Sequence, residues 1–77
     1  MKIDFFTGPQ CSLCELADAL LQQTPKANSL AVTKRNVRND SVLYHLYGAR
    51  IPVLKRLDTS HELGWPFTAE ELEAFLA

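Results

Sequence analysis

The sequence has little of what defines several large classes of protein. Its 77 residues include only two cysteines, three glycines and one tryptophan. Its longest apolar runs are a few residues, far short of the roughly 20 needed to span a membrane. The net charge of −1 at pH 7 gives the whole protein no attraction to nucleic acid or to an anionic membrane. We therefore expect neither a nucleic-acid partner nor a membrane association.

The residues that are present indicate one small globular domain over residues 1–77. A content of 47% hydrophobic and 22% charged residues suits a modest core, and the length leaves no room for a second domain. Met1 and Lys2 lead directly into a strand-like pattern, without the apolar segment of a signal peptide. We therefore expect a cytoplasmic monomer, in which two cysteines favour a redox or metal role over a structural disulfide.

Hydrophobic patterning predicts the element order β-α-β-α-β-β-α. The first two strands should be parallel, joined by a right-handed crossover, and the last two should form an antiparallel hairpin. The polar segment from Lys34 to Asn36 is read as strand or loop, and either Asn39 or Asp40 caps the second helix. The predicted strands cover residues 2–7, 30–33, 51–54 and 61–63, and the predicted helices cover 13–24, 42–47 and 69–76.

Each predicted helix has its own sequence signals. The first helix carries apolar residues at the spacing of one face, which predicts that they pack inward. Pro25 ends that helix, and Gly48 follows the second helix where a left-handed residue is usual. Thr68 and Glu71 form a capping box at the start of the third helix. The apolar residues of the first helix are Leu13, Leu16, Ala17, Leu20 and Leu21.

Cys11 and Cys14 are the residues most informative about function. Two thiols at this spacing, at a strand-to-helix junction, can close into a small disulfide ring and reopen. Cys11 falls at the helix start, where unpaired N–H groups and the helix dipole favour a thiolate. Cys14 lies one turn further along the helix, where it can resolve a mixed disulfide. The pattern predicts thiol–disulfide exchange, with Cys11 attacking and Cys14 resolving.

Two simpler interpretations of the cysteines remain open at this point. The pair could be two buried cysteines on a helix face, since a lone Cys-x-x-Cys is only a moderate signal. His45 and His61 complete a formal set of two cysteines and two histidines. These histidines are much farther apart than the three to five residues of a zinc-finger pair, which disfavours a structural zinc site.

The chain resembles the thioredoxin superfamily, and within it the short bacterial glutaredoxin-like proteins. The resemblance rests on a strand leading into Cys11-Ser12-Leu13-Cys14, on Arg50-Ile51-Pro52-Val53, and on a turn at Gly64 before the last helix. It implies a thioredoxin-like (glutaredoxin-type) α/β fold, with a four-stranded mixed sheet and helices on both faces. It also implies that the Ile51–Pro52 bond is cis and faces the cysteines, and that the backbone of Ile51 pairs with a bound thiol substrate.

Three departures from that family bear on the substrate. Typical glutaredoxins carry a proline and an aromatic residue between the cysteines, where this chain has Ser12-Leu13. They place a lysine or arginine shortly before the first cysteine to meet a glutathione carboxylate, where this chain has Gly8-Pro9-Gln10. Their glycine turn ends in a polar or acidic residue, where this chain has Gly64-Trp65-Pro66. Gln10, Gly64 and Trp65 are nevertheless candidate substrate-binding residues, and Arg50 is a candidate partner for a carboxylate.

The resemblance implies a small thiol–disulfide oxidoreductase. Its partners would be a disulfide-containing protein or a low-molecular-weight thiol, with a reductase or glutathione as the electron donor. No cofactor is expected to be firmly bound. Two alternatives stay open: a redox-sensing or partner-binding module without enzymatic activity, and a glutaredoxin-like protein that binds an iron–sulfur cluster or a metal.

Overall fold

The elements of the computed structural model, which describes residues 1–77, follow the predicted order. The polar segment Lys34 to Asn36 belongs to the second strand, and Asp40 is the residue that caps the second helix. Three-residue 3-10 turns lie at Ala27–Ser29 and Val37–Asn39. The strands and helices are β1 Lys2–Thr7, α1 Ser12–Gln23, β2 Ala31–Asn36, α2 Ser41–Tyr47, β3 Val53–Arg56, β4 Glu62–Gly64 and α3 Ala69–Phe75.

The four strands form one mixed sheet in the order β2-β1-β3-β4. β1 pairs in parallel with β2, and β3 pairs antiparallel with both β1 and β4. Alternate residues of β1 point to opposite faces, so Phe5 packs with α1 and α3 while Phe6 packs with α2. The predicted thioredoxin-like α/β fold, with helices on both faces of a four-stranded mixed sheet, is confirmed.

The buried stripe of α1 is narrower than its sequence predicts. Ala17 and Leu21 are buried, but Leu13 and Leu16 are 46% and 54% exposed. The expectation that both leucines pack inward is therefore wrong. The reason is the position of α3, whose Ala69 and Leu72 line a small cavity with Leu20, in the second half of α1.

The segment between α2 and β3 also differs from the prediction. Gly48 is right-handed, with φ of −53°, so the expected left-handed cap is absent. Glycine is instead favoured at this position because a Cβ there would clash with the carbonyl oxygen of Tyr44. β3 begins at Val53 rather than at Ile51, which leaves Pro52 outside the ladder, where its missing N–H costs no hydrogen bond.

The last helix begins as its sequence predicts. The hydroxyl of Thr68 accepts the N–H of Glu71, and the carboxylate of Glu71 accepts the N–H of Thr68. These reciprocal bonds satisfy two N–H groups that the first turn of a helix otherwise leaves without partners. Separately, none of the helices combines the length and apolar character that crossing a membrane requires.

Candidate functional site

Three chain segments meet at one edge of the sheet. The register places Phe6 opposite Val53, and Val53 opposite Gly64. β1 and β4 end near this line and β3 starts on it, so the segments that follow Thr7, precede Val53 and follow Gly64 converge. These segments carry the cysteines, Ile51–Pro52 and Trp65. The fold therefore brings to one edge the residues that the sequence predicts for the site.

The two cysteines form a disulfide at the start of α1. Cys11 is the N-cap residue, and its Cα lies 5.2 Å from that of Cys14. The backbone N–H of Cys14 donates to Cys11 Sγ at 3.0 Å. Cys14 is only 5% exposed and belongs to the core, whereas Cys11 is half-buried. The first sulfur therefore lies at the positive end of the helix dipole and within reach of solvent, and the second lies behind it.

The Ile51–Pro52 segment contacts the residues on either side of it. Its peptide bond is cis, as is that of Trp65–Pro66, and the N–H of Trp65 donates to the carbonyl of Pro52 at 3.2 Å. Toward the cysteines, Ile51 Cδ1 lies 2.9 Å from where a Cβ on Gly8 would be. Gly8 thus gives the Ile51 side chain room beside the loop that leads to Cys11.

The other predicted substrate-binding residues occupy the rim of the same edge. Gln10 is exposed and left-handed, with φ of 54°, immediately before Cys11. Gly64 is exposed at the end of β4, and a Cβ on it would meet nothing within 4 Å. Trp65 is half-buried, with its ring edge-on to Phe67 at 5.0 Å between centroids. Their roles in binding stay predictions.

A small cavity of about 150 Å³ lies beside the disulfide, and its polar lining was missed by the sequence analysis. Besides both cysteines, it is lined by Glu15 and Asp18 of α1 and by Lys34 of β2. Lys34 Nζ lies 3.0 Å from the carboxylate of Asp18, whereas Glu15 has no ion pair. Had the predicted second strand extended to Asn36, the alternation of its side chains between the two faces would have placed Lys34 on the face that packs against α1.

The two histidines take no part in this arrangement. His45 lies on the exposed side of α2, and His61 lies in the turn before β4. No group of three or more His, Cys, Asp or Glu side chains lies where it could hold a metal ion. The formal set of two cysteines and two histidines is therefore not brought together by the fold.

Tyr47, at the end of α2, contacts β1, β4 and the segment that leads to Pro52. Its ring stacks on Phe6, with centroids 4.1 Å apart, and the guanidinium of Arg50 lies over it at 5.4 Å. Its hydroxyl donates to the Glu62 carboxylate at 2.5 Å, and Arg50 pairs with the same carboxylate at 3.2 Å. Its carbonyl accepts the N–H groups of Arg50 and Ile51. Arg50, a candidate partner for a substrate carboxylate, is thus already paired.

Replacing Tyr47 with phenylalanine tests the hydrogen bond between its hydroxyl and the carboxylate of Glu62. The hydrogen bond to Glu62, then burial and the carboxylate charge, raise the pKa of the Tyr47 hydroxyl above its usual range. A raised pKa means that the neutral phenol stabilises the fold below about pH 10 and that this contribution disappears as the pH rises through the folded-state pKa. We expect Tyr47→Phe to lower the free energy of unfolding by about 1.5 kcal/mol at pH 7. We also expect a weaker alkaline loss of stability in the variant.

Urea unfolding followed from pH 7 to pH 11 provides the measurement. Tyr44→Phe is the matched control, because Tyr44 is the other tyrosine of the chain and is 55% exposed. The control should match the unsubstituted protein at every pH. Equal effects of the two substitutions would contradict a specific role for the Tyr47 hydroxyl.

A mixed four-stranded sheet with a Cys-x-x-Cys pair at the start of its first helix defines a thioredoxin-fold protein with a dithiol–disulfide site. Residues 2–77 match the model of the family described as Glutaredoxin-like domain (DUF836). The chain belongs to this family, which confirms the resemblance seen in the sequence.

Solved structures agree with this assignment. The X-ray structure of the Northeast Structural Genomics target protein XcR50 from X. campestris is 32% identical, with a TM-score of 0.84 over 96% of this chain and 93% of that chain. The solution structure of the same target is 33% identical, with a TM-score of 0.83 over 99% and 92%. Thioredoxin 1 from Thermosipho africanus TCF52B shares the fold, with 20% identity and a TM-score of 0.69 over 99% and 94%. No curated protein matches the chain.

Proposed function

We propose that this protein is a small cytoplasmic thiol–disulfide oxidoreductase that acts through Cys11 and Cys14. The observation that carries the proposal is the position of the two sulfurs. Cys11 Sγ accepts the Cys14 N–H at the start of α1, and Cys14 is buried directly behind it. A sulfur in that position is favoured as a thiolate, which is the nucleophile of disulfide exchange.

The proposed reaction transfers two electrons from the protein to a substrate. The Cys11 thiolate attacks one sulfur of a substrate disulfide, so a Cys11–substrate bond forms and the other substrate sulfur leaves as a thiolate that takes a proton from water. The deprotonated Cys14 then attacks Cys11 Sγ, closing the Cys11–Cys14 disulfide and releasing the second substrate thiolate. An external dithiol or two molecules of glutathione reduce the protein again.

The remaining site residues are proposed to bind the substrate. The backbone carbonyl of Ile51, which precedes Pro52, would accept a hydrogen bond from the chain that carries the substrate sulfur, since the Ile51 N–H already donates to the carbonyl of Tyr47. Gln10, Gly64 and Trp65 would contact that chain at the rim of the site. The partners are a disulfide-containing protein or a low-molecular-weight thiol, together with a reductase or glutathione. We propose that the protein acts as a monomer without a firmly bound cofactor.

A redox titration with two alternative donors tests the proposal. Glutathione buffers set the potential in one series, and thioredoxin reductase with NADPH supplies electrons in the other. An exchanging pair is expected to have a potential between about −270 and −180 mV, whereas structural disulfides lie below about −300 mV. A redox potential below about −300 mV would contradict the proposal and favour a binding module. Iron or zinc retained after purification without oxygen would favour the metal-binding alternative.

A further inference from the structure

Three hydrogen bonds hold the backbone of the segment that precedes β3. The N–H groups of Arg50 and Ile51 donate to the carbonyl of Tyr47 at 2.7 and 3.0 Å. The carbonyl of Pro52 accepts the N–H of Trp65 at 3.2 Å. The carbonyl of Ile51, between these bonds, accepts no hydrogen bond from another backbone N–H. The segment therefore offers the Ile51 carbonyl, but not the Ile51 N–H, to a substrate chain.

The position of the Tyr47 carbonyl depends on contacts of the Tyr47 side chain. Tyr47 is the last residue of α2, which has only seven residues, and so short a helix is not stable without packing. Its ring stacks on Phe6 of β1, and its hydroxyl donates to one carboxylate oxygen of Glu62 in β4. These contacts fix the end of α2 against the sheet, and with it the carbonyl that holds Ile51.

The other carboxylate oxygen of Glu62 pairs with Arg50. Arg50 Nη2 lies 3.2 Å from Glu62 Oε1, and the guanidinium lies over the Tyr47 ring, so the three side chains form one cluster. The Glu62 side chain is 30% exposed, and a partly buried charge is screened less by salt than an exposed one. Glu62 thus binds both the residue whose carbonyl holds Ile51 and the residue that precedes Ile51.

We propose that Glu62 is a positioning residue for disulfide exchange, which holds the Ile51 carbonyl, through Tyr47 and Arg50, where an N–H of the substrate chain donates to it. The inference rests on the proposed function and deepens it, because it requires a donor N–H beside the substrate sulfur. Glu62 does not line the cavity beside the cysteines, so it acts through Ile51. A carbonyl that is already fixed loses less conformational entropy when it binds a donor.

Two peptides that differ only in their N–H groups isolate this hydrogen bond. Both are uncharged disulfides with blocked ends, so that Arg50 meets no substrate carboxylate. The second carries methyl groups on the amide nitrogens of its cysteine and of both neighbouring residues. Single-turnover reduction by the reduced protein gives the half-saturating concentration and the limiting rate for each peptide. For the unsubstituted protein, we expect methylation to raise the half-saturating concentration about fivefold, which corresponds to about 1 kcal/mol, as for one hydrogen bond.

Substitution of Glu62 tests its role directly. Glu62→Leu should raise the half-saturating concentration of the unmethylated peptide about fivefold, leave that of the methylated peptide unchanged, and lower neither limiting rate. Glu62→Gln keeps an oxygen that accepts from the Tyr47 hydroxyl and should restore most of the affinity. Asp58→Asn is the matched control, because Asp58 pairs with Arg56 at the opposite end of β3 from Ile51. It should bind both peptides like the unsubstituted protein.

Arg50→Met provides a second variant in case Glu62→Leu does not fold, because the Arg50 side chain is 56% exposed and its loss leaves the bond between Tyr47 and Glu62 in place. It should weaken binding of the unmethylated peptide alone, about twofold. An equal effect of methylation with and without Glu62, or no effect in the unsubstituted protein, would overturn the inference. So would a fall in the limiting rates for both peptides alike. Failure of the unsubstituted protein to reduce either peptide would instead remove the proposed function.

Discussion

Replacing Cys14 with serine is expected to make the protein accumulate as a mixed disulfide with its substrate through Cys11. Cys11→Ser is expected to form no such adduct and to lose roughly a thousandfold or more of the disulfide reduction rate, as when a catalytic nucleophile is removed. The asymmetry follows from position. Cys11 is half-buried at the helix N-terminus, whereas Cys14 is 5% exposed and cannot meet a substrate disulfide directly. Without Cys14, nothing in the chain resolves the Cys11–substrate bond.

Mass spectrometry of the intact protein, after incubation with a peptide disulfide, measures the adduct, and thiol titration measures the rate. Ser12→Ala is the control, because Ser12 is exposed between the cysteines and makes no side-chain hydrogen bond. It should turn over like the unsubstituted protein and form no stable adduct. The assigned roles would be wrong if Cys11→Ser reduced disulfides at the rate of the unsubstituted protein. They would also be wrong if Cys11→Ser and Cys14→Ser formed equal amounts of the adduct.

The fold could be predicted because local signals and topology rules agree. β1 is a run of β-formers ended by Gly8-Pro9, and the capping box at Thr68 fixes the start of α3. A parallel pair joined by a helix, followed by a hairpin, leaves few arrangements of four strands. The errors are local: Gly48 continues the hydrogen bonding of α2 in a right-handed conformation, and the first residue of β3 depends on strand pairing that no short window of sequence contains.

Only those parts of the site whose residues are neighbours in the sequence could be predicted. The positions of Cys11 and Cys14 follow from a strand, a turn and a helix, all adjacent in sequence. The pairing of Lys34 with Asp18 requires the exact register of β2 against β1 and the rotation of α1. The exposure of Leu16 depends on where α3 lies against α1, which apolar periodicity does not encode. The charged surroundings of the cysteines therefore depend on how α1 packs against β2.

Phe5→Ala is expected to remove much of the stability of the protein. Phe5 is 1% exposed in the central strand and packs in the core that contains Cys14, Ala17 and Leu54. Truncating a buried phenylalanine costs about 3 to 5 kcal/mol. A domain of this length has a free energy of unfolding of about 4 to 12 kcal/mol. The variant should therefore show a large fall in its urea midpoint and, at the lower end of that range, a substantial unfolded population without denaturant.

Phe75→Ala provides the comparison, because Phe75 is half-buried at the end of α3 and packs only at the edge of the same core. A smaller fall in the urea midpoint is expected for it, and equal losses would contradict the central position given to Phe5. Phe5 also lines the cavity beside the disulfide. Measurements of activity therefore distinguish its contribution to folding from a direct contribution to the site. If reduction rates fall only with the unfolded fraction and recover in a stabilising osmolyte, Phe5 supports the site through folding alone. A loss that persists in fully folded protein would mean that the Phe5 ring also holds Cys14 behind Cys11.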